Sequence, residues 1–574
     1  MAETMNNRQV AGLLYEIADL LEIKDVKFKP VAYRRAAHGI ETLAEDLNRV
    51  AERDGLEEIP GVGTHIATKL REILDTGKLG YLERLKQEVG PGMQELAQVG
   101  GIGPKKAIFL HQELGIDTLD QLESAAQEGK IRKLAGFGEK SEQNILQGIA
   151  ARKGITGRAL LGDMLPLAEK IRDTLAGLSA IRQISLAGSI RRMKETIGDI
   201  DILVSSPEPE TVMTVFCTLP DVSRVLGHGL TKSSIVLSSG VQVDLRVVEE
   251  TQYWTALQYF TGSKDHNIVL RRRALDRGWS LSEYSLKEEK TGISLPGSTE
   301  QDLYRMLGLP FIEPELRENR GEIEAADKGT LPVVVPYGAV RGDLHVHTTW
   351  SDGEASIRDM AVAARARGDE YIAITDHSRS PEIARGLTEE KIGKQQEEIE
   401  RVNREFDGIT VLHGIECNIG PDGIPDLPSA VLKDFDLVIA SIHSRQGKHD
   451  DEITKRILAA LHNDHVDILG HLTGRILLRR EPSVLDLPAV FEAAAALHVA
   501  LEVNGYPSRL DLSDSDCRKA KEYGVAFSLG SDAHATGDLQ HMKLAVATAR
   551  RGWVSADEII NTRRLDNLRA WLGI

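Results

Sequence analysis

Apolar residues recur three and four apart through LLYEIADLLEI (13–23) and IATKLREIL (66–74), a spacing that predicts amphipathic helices. Between such helices one unit appears three times at constant spacing: Leu56-x-x-Ile59-x-Gly61-Val62-Gly63, Leu96-x-x-Val99-x-Gly101-Ile102-Gly103 and Ile131-x-x-Leu134-x-Gly136-Phe137-Gly138. A further helical stretch follows each copy. Near residue 155 the period changes. The β-rich runs IRQISLAG (181–188), DIDILVSS (199–206), SSIVLSS (233–239) and VQVDLRVV (241–248) predict an antiparallel or mixed sheet carrying helices, an α+β layer. Helical spacing returns from about 252 to 318, and 318–340 mixes polar, proline and glycine residues as a linker does. From 341 strand and helix patterns alternate. Strand-like runs end in polar residues at DLHVH (343–347), YIAITDH (371–377), ITVLHGIE (409–416), LVIASIH (437–443), VDILGH (466–471) and VAFSLGSDAH (525–534), and VALEVNG (499–505) ends in Asn504-Gly505. Polar groups at the ends of successive parallel strands are the layout of a β/α-barrel site, here with about seven units.

At 574 residues and 41% hydrophobic, the chain has material for about three to five packed domains. The three cysteines, Cys217, Cys417 and Cys517, have no paired spacing, which argues against a disulfide framework and for a reducing cytosol. No apolar run approaches the ~20 residues of a membrane span, and MAETMNNRQV lacks the regions of a signal peptide. A cytoplasmic protein is expected, with no membrane partner. The net charge of −17 argues by its sign against nucleic acid, but about −10 of it lies in 341–574, where carboxylates can serve metals. Histidine changes the picture further: twelve of the 17 fall in that same region, pointing to a metal or acid–base site.

Three constellations carry chemistry. A tight Gly-x-Gly turn ahead of a helix exposes backbone N–H groups that hold a phosphate without reading a base. The three copies resemble helix-hairpin-helix elements, which implies that Gly61, Gly63, Gly101, Gly103, Gly136 and Gly138 contact a DNA backbone. A plain helix–turn–helix corner would need no such regularity. In GSIRRMKETIGDIDIL (188–203), Asp199 and Asp201 alternate on one strand and share a face, and Asp244 can join them from a neighbouring strand. Three carboxylates on one face repel unless cations sit between them, and an all-oxygen set suits Mg²⁺ or Mn²⁺. Two such ions activate a 3′-hydroxyl and stabilise a leaving pyrophosphate, with the turn from Gly188 to Arg192 cradling a triphosphate. In the last region His345, His347, Asp352, His377, Glu416, His443, His471, Asp532 and His534 form a mixed N/O set of nine, more than one metal needs. Two or three Zn²⁺, Mn²⁺ or Fe²⁺ ions are expected, with Glu416 bridging, to activate water against phosphorus. Arg475, in HLTGR, is the candidate for a substrate phosphate.

These motifs resemble known families. LEEIPGVGTHIATKL (56–70) with FKPVAYRRAA (28–37) is similar to the small N-terminal domain of DNA polymerase beta. The resemblance places Lys69 at the Schiff-base lysine, and Lys29, Tyr33 and Arg34 at a 5′-phosphate. Lys69 is either a lyase nucleophile or a solvated lysine touching phosphate, and His65 replaces a further lysine. The G-S and D-x-D motifs, followed by YFTGSKDHNIVLRRRALDRGWSLSEYSL (259–286), resemble family X DNA polymerases. That resemblance implies that Ser189 and Arg192 hold phosphates. Gly188, Gly198 and Gly262 line the nucleotide pocket, Tyr259 and Phe260 pack on the sugar, Asn267 reaches the base edge and Arg271 the template. Met193 replaces a glycine, Gln242 an arginine and Lys264 an acidic residue. The histidine set resembles the PHP (polymerase and histidinol phosphatase) domain. Fused to such polymerases, that domain is associated with Mn²⁺-dependent 3′–5′ exonuclease activity and, in some members, with action at abasic sites.

The expected architecture is therefore multidomain: a helical 8-kDa-like domain (1–85), a helix-hairpin-helix fingers-like domain (86–152), a nucleotidyltransferase palm (153–250), a thumb (251–318), a linker (319–340) and a (β/α)7-like PHP barrel (341–574). A monomer that fills gapped or primed DNA from deoxynucleoside triphosphates and processes 3′ ends fits all the motifs. Alternatives are a barrel that is only a metal-stabilised scaffold, or a non-templated transferase joined to a small-molecule phosphatase. A pure DNA-binding module leaves both metal constellations without a purpose.

Overall fold

A computed structural model of the chain describes residues 5–574 except 6, 25, 42, 44–46, 90–91, 94–95, 97–98, 100–101, 135–136, 139–140, 143–144, 147–148, 150–157, 380–385 and 444–450. The chain divides into two compact units, Met1–Thr156 and Gly157–Ile574.

The first unit is helical. Helices α1 (Asn7–Ile23), α2 (Lys29–Glu41) and α3 (Thr64–Thr76) bury Leu14, Ile17, Ile40, Leu70 and Ile73 in one core. A second core gathers Leu96, Val99, Leu110, Leu122, Ile131 and Ile145 around α4 (Gly103–Leu114). The three repeated units share one backbone device. In each, the N–H of the second apolar residue donates to the carbonyl of the first, and that of the third to the second: Ile59 to Leu56 and Val62 to Ile59, Val99 to Leu96 and Ile102 to Val99, Leu134 to Ile131 and Phe137 to Leu134. Their apolar side chains pack into, or against, the two cores, which explains the fixed spacing. Gly61 has φ +87°, and a Cβ there would lie 2.9 Å from the backbone of Arg35, so only glycine lets this turn close on α2. Gly101 and Gly136 lie outside the described residues.

The second unit opens with a mixed five-stranded sheet. Its strands are β1 (Gln183–Leu186), β2 (Asp199–Ser205), β3 (Val222–His228), β4 (Lys232–Leu237) and β5 (Gln242–Val248), in the order β1-β2-β5-β4-β3. Only β2 and β5 are parallel neighbours, and their register sets Asp201 opposite Asp244. Helices α5 (Tyr253–Thr261) and α6 (Lys264–Leu275) follow, with a separate core around Leu270, Leu303, Tyr304 and Leu316.

Residues 319–340, which read as a linker, are packed. A short helix, Glu322–Asp327, puts Ile323 and Ala326 into the Tyr304 core, and fully buried Glu322 meets the fully buried His266 at 2.6 Å. Val335 already belongs to the core of the next layer. There, seven parallel strands, β6 (Gly342–Val346), β7 (Tyr371–Ile374), β8 (Thr410–Asn418), β9 (Leu437–Ser441), β10 (Ile468–Leu469), β11 (Ala500–Asn504) and β12 (Phe527–Gly530), lie in chain order. The first and last meet through the Val346–Ala533 bridge and the bond from the His347 N–H to the Ala533 carbonyl, so the barrel nearly closes. Both apolar faces are covered, as expected where β-branched and leucine runs are continuous.

A buried ionic triad ties the palm to the segment beyond α6. Glu300, 5% exposed, accepts from Arg191 at 2.5 Å and from fully buried Arg317 at 2.6 Å. Burial alone would raise its carboxyl, but Arg317 and Arg191 hold it down at about 2. A depressed carboxylate contributes stability above its unfolded pKa and loses it as the pH falls. Glu300→Gln leaves the buried Arg317 and the half-buried Arg191 without their counter-charge, and urea denaturation at pH 7 should show a loss of about 3 kcal/mol or more. That deficit should narrow as the pH falls from about 5 toward 2, the window set by the shift of Glu300.

Candidate functional site

The palm site is built by strand register. Asp199 and Asp201 alternate on β2, and Asp244 stands across from Asp201 on β5, so all three offer oxygens within 4.8 Å of one another. Gly188 has φ +59°, and a Cβ there would fall 2.0 Å from Asp201 Oδ2, so the carboxylate rests on bare backbone. Burial and then the neighbouring Asp199 and Asp244 push the Asp201 carboxyl up to about 7, and burial and Asp244 raise Asp199. Asp244 is shifted the other way. Burial opposes it, but the Lys232 ammonium at 2.6 Å and the Gln242 amide at 2.9 Å hold it down. Two carboxyls pushed up beside a third that stays ionised are the electrostatic condition that divalent cations relieve.

Around it, Ser189 and Gly198 flank the same turn, and Arg192 donates through Nη1 to the Thr261 carbonyl at 2.6 Å and through Nε to Glu318 at 3.1 Å. Gly262, next to Thr261, has φ +72° and lies beside that guanidinium. Tyr259 and Phe260 meet edge-on with ring centroids 5.2 Å apart, and the Arg246 guanidinium stacks on Phe260. Asn267 is buried, donating to the Tyr259 carbonyl and accepting from Gln258, each at 2.7 Å; it braces the aromatic pair in this structure, with its amide engaged within the protein. Arg271 is exposed on α6.

The barrel site gathers all nine expected side chains at one mouth. Glu416 is its centre. Its carboxylate lies 2.9 Å from His377 and His471, 3.3 Å from His443, 3.5 Å from His345 and 3.6 Å from His347. Asp532 approaches His347 at 3.3 Å, and Asp352 lies 3.4 Å from His377 and 3.6 Å from His534. Three overlapping groups result: His347, Asp352, His377 and His534; His345, His347 and Asp532; His377, Glu416 and His443. Burial would raise the Glu416 carboxyl, but the imidazoles, His377 first, hold it well below the carboxylate range. Both ring nitrogens of His347 and Nε2 of His345 are buried without a hydrogen-bond partner. Unpaired nitrogens packed among carboxylates fit metal ions and are costly otherwise. His471 and Asp532 also take left-handed backbone, φ 26° and 54°, as strained positions at functional sites often do.

Several groups escaped the sequence reading. Glu502 on β11 accepts from His345 Nδ1 at 2.6 Å and from the His471 N–H at 2.7 Å, and Asn504 donates to Asp532 at 3.1 Å. The two alternate on VALEVNG, so the period-2 rule could have paired them. Asp376 collects the hydroxyls of Thr348 and Ser351 and the amide of Gln395, anchoring the loop that carries Asp352. Arg475 does not face the cluster as expected. Its guanidinium donates to the carbonyls of Arg509 and Leu510 and to Glu195 of the palm. Among the described residues Arg509 does face it, with Nε 3.7 Å from Asp532 and a buried Nη1 that lacks a partner.

In the first unit, the Lys69 ammonium donates to the His65 carbonyl at 3.2 Å and lies over the Tyr81 ring. Burial, then Lys29, lower its pKa. Lys29 is exposed, but Tyr33 is buried and Arg34 is held by Asp19 and Glu22.

Comparison with known proteins follows this geometry. Residues 5–79 match a helix-hairpin-helix domain, 93–151 a SAM-like helix-hairpin-helix tandem, 256–318 the DNA polymerase beta thumb and 343–504 the PHP domain. Across 571 residues, 99% of either chain, the sequence is 39% identical to the DNA polymerase/3′-5′ exonuclease PolX of Bacillus subtilis. The chain belongs to the family X DNA polymerases that carry a PHP domain. It is also 26% identical to DNA polymerase lambda of Rattus norvegicus over 345 residues, 55% of this chain and 57% of that one.

Two departures within this family X chain have a physical reading. Met193 adopts φ 52° where glycine would sit freely, and its side chain is buried in the palm core, so apolar burial offsets the backbone cost. At the position of the lost arginine, Gln242 still donates to Asp244, without a charge. If Glu416 is shared by the barrel metals, Glu416→Ala should lower the metal retained after dialysis by at least one ion per chain. Asp201→Ala should leave the barrel count unchanged. Equal metal content in wild type and Glu416→Ala, by plasma mass spectrometry, would remove Glu416 from that role.

Proposed function

We propose that the chain fills short DNA gaps at the palm and trims DNA 3′ ends at the barrel, as a monomeric cytoplasmic repair enzyme. The observation that carries this reading is the presence of two separate metal-ready clusters in one chain: three aspartates on the palm, and at the barrel mouth eight mixed donors in overlapping groups with His471 beside Glu416. The full-length similarity to a polymerase/3′-5′ exonuclease supports both halves. The three free cysteines suit a reducing compartment, and no helix among the described residues is long and apolar enough to cross a membrane.

Asp199, Asp201 and Asp244 would hold Mg²⁺ or Mn²⁺. His345, His347, Asp352, His377, Glu416, His443, His471, Asp532 and His534 would hold two or three Zn²⁺, Mn²⁺ or Fe²⁺. Such ions, when bound, polarise phosphate oxygens and ease loss of a proton from an attacking hydroxyl or water. The protein supplies the rest. The Gly188–Ser189 turn offers close backbone and a hydroxyl to a triphosphate, and Arg192 offers charge. Tyr259 and Phe260, locked by Asn267, wall the sugar, and Arg271 meets the template. The Gly-x-Gly turns hold the DNA backbone independently of sequence, so affinity falls with salt. At the barrel, Arg509 faces an incoming phosphodiester. The fixed Asp376 network keeps Asp352 in place.

In the first unit the lowered pKa of Lys69 favours the neutral amine, which can add to an aldehyde carbon at a 5′-deoxyribose phosphate with loss of water. Borohydride should trap that adduct in wild type and not in Lys69→Ala; equal trapping in both would assign the chemistry elsewhere.

The principal test follows a 5′-labelled primer on one-nucleotide gapped DNA with Mn²⁺, with and without nucleotides. Asp201→Ala should abolish extension and keep shortening, and His347→Ala the reverse. Shortening that survives His347→Ala would move the scaffold or small-molecule phosphatase reading of the barrel ahead. A Thermoanaerobacter protein described as a "Probable phosphatase" is 33% identical over 233 residues, 38% of this chain, and gives that second reading its support.

A further inference from the structure

The palm turn 188–197, which leads into Asp199, is held from the barrel side by two arginines. Arg551 ends helix α7 (Met542–Arg551) and is 5% exposed. Its Nη1 donates to the Arg192 carbonyl at 2.7 Å and to Glu318 at 3.1 Å, and its Nη2 to Asp514 at 2.7 Å. Glu318 is also the carboxylate that accepts from Arg192 Nε. Three residues on, Glu195 receives Arg475, which sits four residues after His471. Apolar contact backs these bonds: Leu510, Leu544 and Ala547 of the barrel layer lie in the same core as Ile190, Met193 and Ile197 of the turn.

Charge balance at this junction is uneven. Arg192, Arg320 and Arg551 pair with only two carboxylates, Glu318 and Asp514. Lys194 is half-buried among them, with Glu318 and Asp514 as its opposite charges. Arg551 and Arg192 both donate to Glu318 Oε1, so neither guanidinium has that carboxylate to itself. Without Arg551, Arg192 is the remaining arginine on Glu318, and its own carbonyl loses a donor.

We propose that Arg551, a residue of the PHP barrel layer, is a positioning residue for the incoming nucleotide, setting Arg192 through its carbonyl and through the shared Glu318. The proposal rests on the reading of Arg192 as a triphosphate contact. It makes the barrel part of the polymerase site, independent of nuclease chemistry.

Steady-state gap filling by the full chain tests it, with nuclease rate on single-stranded DNA without nucleotides as the control for folding. Arg551→Gln should raise the nucleotide KM by about tenfold or more while kcat stays within about threefold and the nuclease rate is kept, because a desolvated charge-assisted contact is worth at least that much. Arg551→Lys should recover part of the KM. A KM within about twofold of wild type in folded Arg551→Gln overturns the proposal. If Arg551→Gln does not fold, Asp514→Asn, which frees the other end of Arg551, must show the same KM rise, and an unchanged KM there overturns it equally. Arg192→Ala run alongside separates the two layers: an unchanged KM in that variant sinks the triphosphate reading of Arg192 itself, and the proposal with it.

Discussion

Asp201 sits opposite Asp244 because β2 and β5 are parallel and in register, and Asp199 lies on the same face two residues earlier. Burying three carboxylates together is unfavourable without compensating cations, and burial followed by the neighbouring carboxylates pushes Asp201 and Asp199 up. The barrel solves the same problem in the opposite sense. There imidazoles outnumber carboxylates, Glu416 stays ionised among five rings, and nitrogens of His345 and His347 are left without partners. Both sites are stored electrostatic imbalances held by rigid strands. The features around them, from the bare backbone of Gly188 to the left-handed His471 and Asp532, serve to keep those groups from relaxing apart.

Local period carried much of this into the sequence. The constant spacing of Leu56, Ile59 and Val62 in three copies reflects a hydrogen-bonded turn whose apolar positions meet a core, so the repeat was visible before the structure. Alternation alone put Asp199 and Asp201 on one face. It could not say that Asp244 pairs with Asp201, because register is a tertiary property. Strand ends revealed the histidines, yet Glu502 lies within its strand, where it read as one polar residue in an apolar run. Arg475 and Arg509 were indistinguishable as loop arginines. Their directions depend on the backbone bond between Leu477 and Ser508 and on Leu477 packing against the palm core, which no short window contains. The segment 319–340 read as a linker because its apolar residues follow no helix or strand period: Ile323, Ala326 and Val334 bury in one core and the adjacent Val335 in another.

That packed segment bears on how the two chemistries coexist. A flexible tether would leave the palm and barrel free to reorient, and each site would then be an independent module. Here the connection is built from buried charge: Glu322 on His266, Glu315 on Arg550, Arg317 on Glu300. Such pairs contribute little net stability compared with apolar replacements, but they are strongly directional, and losing one partner is costly. They specify one arrangement of the layers. Leu510, Leu544 and Ala547 add the non-directional burial that holds it.

Direction matters because the charges meet at the turn between Gly188 and Ile197. A nucleotide pocket must present backbone and guanidinium to within a few tenths of an ångström, and precision of that kind comes from supporting groups whose own positions are fixed. The sheet fixes Asp199 and Asp201, whereas in the turn only Thr196 and Ile197 are strand-paired, to Leu160 and Ala159. The turn's carbonyl at Arg192 and its carboxylate at Glu195 are bonded to Arg551, at the end of α7, and to Arg475, in the loop after β10. Arg475 also grips the Arg509 and Leu510 carbonyls, so the loop that aims Arg509 at Asp532 and the turn that carries Arg192 share one guanidinium. A single side chain thus joins the backbone beside Arg509 to the turn that carries Arg192.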